Sequence, residues 1–218
     1  MVDCVGFKGQ EVGVSLGRYM DGGKYWFNMV PSRNAANAAP IIPDVVINEL
    51  MYHPADANEE YIELYNPTKN QVKLENADGA WRLDGGVDYV FAPSTSIPAG
   101  GRLLVVGFDP YAETSRLRAF IAAYDTGVLT PGVHIVGPWS GNLSNASERV
   151  ALERPQAADQ VGDLGSWVIA DEVIYADSPP WPDAADGTGQ ALQRIHADQY
   201  HSGSDPVNWR AASPTPGE

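Results

Sequence analysis

Two apolar stretches separated by an acidic turn form the most regular pattern of the chain. Residues 46–52 have the length and composition of an extended strand, and in residues 61–65 Ile62 and Leu64 alternate with Tyr61, Glu63 and Tyr65. One side of the first strand is predicted to carry Val46, Asn48, Leu50 and Tyr52, and the other side Ile47, Glu49 and Met51. The connection at 54–60 is rich in Asp, Asn and Glu, which is typical of a solvated turn. The pattern predicts a β-hairpin.

The rest of the chain is dominated by short apolar runs that end at turn residues. They predict strands near 71–74, 80–83, 87–91, 102–107, 134–136, 148–154, 171–175 and 190–195. The run at 102–107 is continuously apolar after Arg102, which favours a strand covered on both faces. Many short strands of this kind predict an all-β protein with the architecture of a β-sandwich.

One helix interrupts the strands. Asp109 and Pro110 have the residue types of an N-cap and a first helical position. Leu117, Phe120 and Tyr124 then recur at the spacing of one helical face. The sequence predicts a short inserted helix over about 110–124 that closes a flank of the sandwich.

The end of the chain repeats its beginning. Val5 and Phe7 match Val173 and Tyr175, and residues 15–19 match residues 191–195. Each copy then has a Trp followed five residues later by a Pro, namely Trp26 with Pro31 and Trp209 with Pro214. We therefore expect residues 1–37 to be the C-terminal remnant of a preceding repeat, 38–43 a linker and 44–218 the complete domain. Strands of the remnant should pack against an exposed sheet edge or another copy.

Composition narrows the classes of partner. The 218 residues are 44% hydrophobic, enough for a substantial core, and 14 Lys and Arg face 28 Asp and Glu. A net charge of -14 opposes binding to nucleic acid and to anionic membranes. No apolar run approaches the roughly 18 residues of a membrane span, and the lone Cys4 excludes an intrachain disulfide framework.

Several motifs, taken together and in order, resemble one family. They are Ile47-Asn-Glu-Leu, Glu60-Tyr-Ile-Glu-Leu-Tyr-Asn, Trp81-Arg-Leu, Ile97-Pro-Ala-Gly-Gly, Asp171-Glu-Val-Ile-Tyr and Ala191-Leu-Gln-Arg with Trp209 and Pro214-Thr-Pro-Gly. They resemble the lamin-tail domain in its bacterial form. The resemblance implies an immunoglobulin-like β-sandwich, found in secreted or surface multidomain proteins and sometimes beside nucleases or other hydrolases. It supplies no catalytic residues.

Four acids are the candidate metal ligands. Glu49 and Glu63 lie mid-strand in the two arms of the hairpin, where facing carboxylates repel unless a cation, a proton or an Arg separates them. Asp183 and Asp186, in a Gly-containing loop, offer the oxygen ligands of a calcium site. The competing interpretations are Arg-paired structural glutamates for the first pair and an ordinary acidic turn for the second.

Two further groups have alternative interpretations. His196, Asp198 and His201 are close in sequence, but no Cys or second ligand pair joins them, so zinc is not predicted. Trp181, in a Pro-rich loop, is either a core side chain or an exposed ring on which a glycan could stack.

The sequence thus predicts a non-catalytic interaction or spacer module of a larger, tandem-domain bacterial protein. We expect it outside the cell or on its surface, directed there by a signal upstream of these residues. Neighbouring domains, another protein or a glycan are the expected partners, and no cofactor is predicted, with calcium kept open. The alternative is a metal- or carbohydrate-binding module attached to a hydrolase.

Overall fold

Two main sheets organise the chain. The structure, a computed structural model, describes residues 8–55, 59–158, 160 and 162–218. In these residues the strands are β1 (Ser15–Arg18), β2 (Trp26–Met29), β3 (Val46–Met51), β4 (Tyr61–Tyr65), β5 (Val72–Lys73), β6 (Glu75–Asn76), β7 (Gly79–Ala80), β8 (Arg82–Gly85), β9 (Val87–Val90), β10 (Ser96–Ile97), β11 (Arg102–Val106), β12 (Ile135–Val136), β13 (Ser140–Gly141), β14 (Ser147–Gln156), β15 (Ser166–Ala176), β16 (Ala191–Arg194) and β17 (Trp209–Ala212). Helix α1 (Thr114–Tyr124) lies between β11 and β12.

The two sheets form a sandwich. One has the strand order β12-β11-β4-β3-β16-β17 and the other the order β13-β9-β8-β14-β15. Pairing is antiparallel in both, except that β11 and β12 are parallel. The main core takes Ile62 and Leu64 from the first sheet and Val150, Leu152 and Val173 from the second. The predicted all-β sandwich with one short helix is therefore confirmed.

A bulge changes which side chains of β3 point inward. Ile47 pairs with Leu64 and Glu49 pairs with Glu63, so Asn48 is an extra residue in β3. Ile47 and Leu50 consequently both lie in the main core. The prediction that Ile47 shares a side with Glu49 is wrong, because the bulge shifts the alternation by one residue.

The outer face of the six-stranded sheet carries a second core. Helix α1 contributes Leu117 and Phe120, which pack with Tyr61 of β4 and with Leu104 and Val106 of β11. Residues 103–106 are fully buried, as predicted for a strand covered on both faces. Helix α1 thus shields the outer face of β4 from solvent at the beginning of the strand.

The helix begins later than predicted. Its first residue is Thr114, and the Asp109 carboxylate instead accepts hydrogen bonds from the Tyr111 and Ala112 N–H groups in a separate turn. Asp109 therefore caps the turn that precedes the helix. The predicted apolar face is confirmed, because Leu117 and Phe120 are buried.

The N-terminal segment packs on the free edge of β15. Gly9 forms a parallel bridge with Val168, and the Lys8 ammonium lies 2.8 Å from both Asp84 and Glu153. Strands β1 and β2 form a separate hairpin, anchored by a 2.8 Å hydrogen bond from the Tyr25 hydroxyl to Asp205. Packing on a sheet edge is thus observed at Gly9, whereas Val5 and Phe7 of the predicted remnant lie outside the described residues.

No helix in the described part of the chain has the length and apolar character needed to cross a bilayer.

Replacement of Phe120 with Ala tests the second core. The ring is almost fully buried and packs against Tyr61, Phe108 and Tyr124 at centroid distances of 5.8, 6.1 and 4.9 Å. We expect Phe120→Ala to lower the free energy of unfolding by about 3–5 kcal/mol in urea titrations, because it leaves a cavity. The exposed neighbour Arg118 provides the control, and Arg118→Ala should change it by less than about 0.5 kcal/mol. Equal effects of the two substitutions would contradict this packing.

Candidate functional site

The two hairpin acids face each other inside the protein. Glu49 and Glu63 are opposite in the β3–β4 register, and both are buried on the outer face of the six-stranded sheet. The C-terminal segment 213–217 covers them there, next to the helix-covered part of the same face. The arrangement places two carboxylates where water cannot solvate them, so their surroundings must supply hydrogen-bond donors.

Protein donors contact both oxygens of Glu49. Its Oε1 accepts hydrogen bonds from the Tyr61 hydroxyl and, at 2.9 Å, from the Thr215 N–H. Its Oε2 accepts one from the Thr215 hydroxyl, also at 2.9 Å. The Gln193 side chain, opposite Glu49 on β16, donates to the same hydroxyl at 2.9 Å and to the Ser213 carbonyl at 2.8 Å. Glu49 therefore binds the tail directly and through a neighbour.

Glu63 holds the next part of the tail. Its Oε2 accepts a 2.7 Å hydrogen bond from the Gly217 N–H. Its Oε1 accepts one of 2.8 Å from Asn48, the bulge residue, and lies 3.2 Å from the Arg102 guanidinium in an ion pair. Burial nevertheless raises the pKa of Glu63 from 4.5 to about 7, against the opposing effect of the Gly217 and Asn48 donors.

These contacts make the acid pair a clamp for the C-terminal tail. All four carboxylate oxygens have a protein donor or cation, and the two N–H groups of the tail are taken up by them. A proton on Glu63 and the Arg102 charge relieve the repulsion between the two acids. Such an arrangement can hold a segment in place, and each of the four carboxylate oxygens already accepts a structural hydrogen bond.

The other two candidate ligands lie in the loop before β16. Asp183 is exposed in a single 3-10 turn, Asp183–Ala185. Asp186 pairs with His53, which follows β3. The structure thus brings Asp186 to an imidazole, and its carboxylate and that of Asp183 do not form part of a larger group of converging ligands among the described residues.

Trp181 is a core side chain. It is only 7% exposed, and its ring lies 6.2 Å from that of Trp209 in the main core. The interpretation of Trp181 as an exposed stacking ring is therefore wrong, because the Pro-rich loop turns the indole inward, where burial of its large apolar surface is favourable.

The structure brings together three residues for which the sequence did not predict a zinc site. One ligand atom each from His196, Asp198 and His201 lies within 4.8 Å of the others. The His201 Nδ1 is 2.7 Å from the Asp198 carboxylate, and the two imidazoles stack with their centroids 4.2 Å apart. Partial burial opposes ionisation of Asp198, but the bonds to His201 and to the Tyr200 N–H outweigh it and lower the pKa of Asp198. The available signal was the spacing His-x-Asp-x-x-His within one loop.

This histidine loop borders a cleft of about 560 Å³. The cleft separates the N-terminal hairpin from β15, and its walls include Tyr25, Trp26, Ile42, Ile174 and His201. Ile42 and Ile174 are each more than half exposed there. The cleft therefore combines aromatic, aliphatic and imidazole groups that solvent can reach.

Two packed, mainly antiparallel sheets around one core define an immunoglobulin-like β-sandwich module. The sequence profile of the Lamin Tail Domain family matches residues 38–162, more than half of the chain. The chain belongs to the lamin tail domain family, which confirms the resemblance noted in its motifs. A search of curated proteins returns no match. Strands β16 and β17 follow the matched region, yet β16 pairs with β3 in the middle of the same sheet.

Loss of the Thr215 hydroxyl tests the tail clamp. Thr215→Val keeps the side-chain shape but removes the donor to Glu49 and the acceptor for Gln193, so both buried groups lose a partner. We expect the free energy of unfolding to fall by about 1–3 kcal/mol in urea titrations. Thr114→Val, at an exposed position, is the matched control and should have little effect. An unchanged stability of Thr215→Val would show that the clamp does not contribute.

The raised pKa of Glu63 predicts a specific pH dependence. In the unfolded chain this group loses its proton near 4.5, whereas the folded protein keeps it up to about 7, so unfolding releases a proton between these values. The protonated form therefore stabilises the fold below about pH 4.5, and this contribution, on the order of 3 kcal/mol, is lost as the pH rises through 7.

Glu63→Gln should remove this part of the pH dependence, because the amide stays neutral. Urea titrations between pH 4.5 and 8 should show a smaller decline for Glu63→Gln than for the unaltered protein. Glu113→Gln, at an exposed helix N-terminus, is the control and should keep the full decline. Parallel profiles for the unaltered protein and Glu63→Gln would contradict a buried, proton-binding Glu63.

Proposed function

We propose that this chain is a non-catalytic interaction or spacer module of a larger, extracellular bacterial protein in which such domains stand in tandem. The observation that carries the proposal is the correspondence between the two ends of the chain. The N-terminal hairpin and the last two strands of the sandwich have the same register and the same cross-strand contact.

The correspondence is specific to named pairs. Arg18 faces Trp26 between β1 and β2, as Arg194 faces Trp209 between β16 and β17. The guanidinium lies over the indole in both, at 4.8 Å and 5.4 Å from the ring centroid. Two four-residue hairpins of one chain with the same Arg–Trp pairing support an origin of residues 1–37 in a preceding copy, as the sequence repeat predicts.

The two hairpins differ in their neighbours, and the difference indicates what a preceding copy would add. In the sandwich, β16 pairs with β17 on one side and with β3 on the other. Among the described strands, β1 pairs with β2 alone. Under the proposal, a strand equivalent to β3 from an upstream domain pairs with β1 and completes a sheet there.

A structural ion pair also supports the origin of the N-terminal segment in a preceding copy. Arg194 binds the buried Asp171 of β15 at 2.7 Å, and Asp171 also accepts a hydrogen bond from the Ile47 N–H. The sequence correspondence that aligns Val5 with Val173 places Asp3 at the position of Asp171. Asp3 lies outside the described residues, so this agreement is one of sequence alone. It gives the remnant the same acid, Arg and Trp as the complete domain.

The contacts of the acidic side chains support the proposal that the module is non-catalytic. Glu49 and Glu63 use their oxygens to hold the tail, and Asp186 is paired with His53. Burial of Trp181 also takes away the ring on which the carbohydrate-binding alternative depended. We accordingly assign the module a role in joining or spacing neighbouring domains or proteins, at the cell surface or outside it.

Hydrogen exchange tests the tandem arrangement. We expect a longer fragment of the parent protein, extended upstream by one domain, to protect β1 amides that exchange rapidly in the present chain, because they would gain a strand partner. Amides of β16 serve as the internal control and should be protected in both fragments. An upstream sequence without a strand and acid signature like Ile47-Asn-Glu-Leu, or unchanged exchange of β1, would overturn the tandem arrangement.

A further experiment addresses the absence of catalysis. The purified chain should show no turnover on a panel of phosphodiester, glycoside and peptide substrates with divalent cations present. Turnover that disappears in Glu63→Gln or Glu49→Gln, while those variants remain folded, would overturn the assignment.

A further inference from the structure

We propose that His196, Asp198 and His201 form a binding site for a divalent transition-metal ion such as Zn²⁺ at the rim of the cleft. The three side chains offer two imidazole nitrogens and one carboxylate oxygen, a ligand set suited to zinc. This site is separate from the acid clamp, and it does not depend on the tandem arrangement.

The loop that carries the three ligands is fixed at both ends by one buried side chain. Asn208, 1% exposed, accepts a 2.9 Å hydrogen bond from the His196 N–H and donates one of 3.0 Å to the His196 carbonyl. The same amide donates to the Ser202 carbonyl at 3.3 Å. The backbone N–H of Ile195 in turn bonds the Asn208 carbonyl at 2.8 Å. The loop between residues 196 and 202 is thereby held closed, which reduces the ordering that metal binding would require.

The ligand atoms need only small movements to surround an ion. Asp198 and His201 already meet at 2.7 Å, and two atoms each about 2.0–2.2 Å from zinc are separated by slightly more than 3 Å in a tetrahedral site. An ion can replace the proton that these two groups share. His196 lies within 4.8 Å and is exposed, so its ring can turn toward the ion without disturbing the core. The ring now stacks on His201 at 26°, so ligation requires His196 to rotate out of the stack until both in-plane nitrogen lone pairs point at the ion.

Charge and access also favour a cation. The protein carries a net charge of -14, and Asp198 places a carboxylate at the rim of the cleft. Three protein ligands leave at least one coordination position for water or for a donor group that enters from the cleft.

The test is calorimetric titration of Zn²⁺ into the untagged chain, with Cys4→Ser as the background so that the sole thiol does not contribute. We expect binding of one ion, a higher melting temperature with Zn²⁺ than with chelator, and no comparable effect of Ca²⁺. His196→Ala and His201→Ala should each weaken binding by at least about tenfold, because each removes one of three ligands. His134→Ala removes an exposed imidazole elsewhere and is the matched control.

A second measurement separates loss of ligands from loss of fold. Bound Co²⁺ should give visible absorption bands that disappear in His201→Ala, while the far-ultraviolet circular dichroism of that variant stays unchanged. Absence of Zn²⁺ binding at millimolar concentration would overturn the proposal. Binding that persists in the double variant His196→Ala/His201→Ala would do the same, since the ion would then be held elsewhere.

Discussion

The buried pair Glu49 and Glu63 is the constraint on which the arrangement of the sandwich depends. Two carboxylates that face each other across adjacent strands are costly to bury unless hydrogen-bond donors or cations surround them. The tail N–H groups, the bulge residue Asn48 and the Arg102 charge complete the set. The bulge and the path of residues 213–217 therefore follow from the same requirement, which is satisfaction of two acids in an apolar environment.

The same requirement explains why the central hairpin is covered on both sides. Ile62 and Leu64 of β4 enter the main core, whereas Tyr61 and Glu63 point to the outer face. Helix α1 covers the outer face over Tyr61, and the tail covers it over Glu63. A sandwich normally leaves one face of each sheet in water, and here the inserted helix and the tail replace water on that face. The β3–β4 hairpin is thus covered on both of its faces.

Local patterns predicted the elements well, and long-range contacts limited what could be predicted of the site. Alternation identified the β3–β4 hairpin and the facing acids, but a one-residue bulge at Asn48 cannot be read from alternation. The Thr215 and Gly217 N–H groups that bind the two acids belong to the backbone, which carries no sequence signal. The grouping of the three side chains in the histidine loop could not be predicted because their spacing matches no common zinc motif, and the closure of the loop by Asn208 is visible only in three dimensions. The predicted helix start at Asp109 was too early, because Asp caps turns as readily as helices and Asp109 caps the turn before the helix.

The clamp also sets the order in which this domain can be completed during synthesis. Glu49 and Thr215 are separated by 166 residues, so the ribosome produces the acids long before their donors. Until residue 217 has left the ribosome, the two carboxylates of the nascent sheet lack their Thr215 and Gly217 donors. Closure of the sheet therefore waits until residues 213–217 have been made, and it has the high contact order that slows folding. During that interval the tail of another molecule offers the same N–H groups, which makes an exchange of tails between copies the misfolding route most compatible with this geometry.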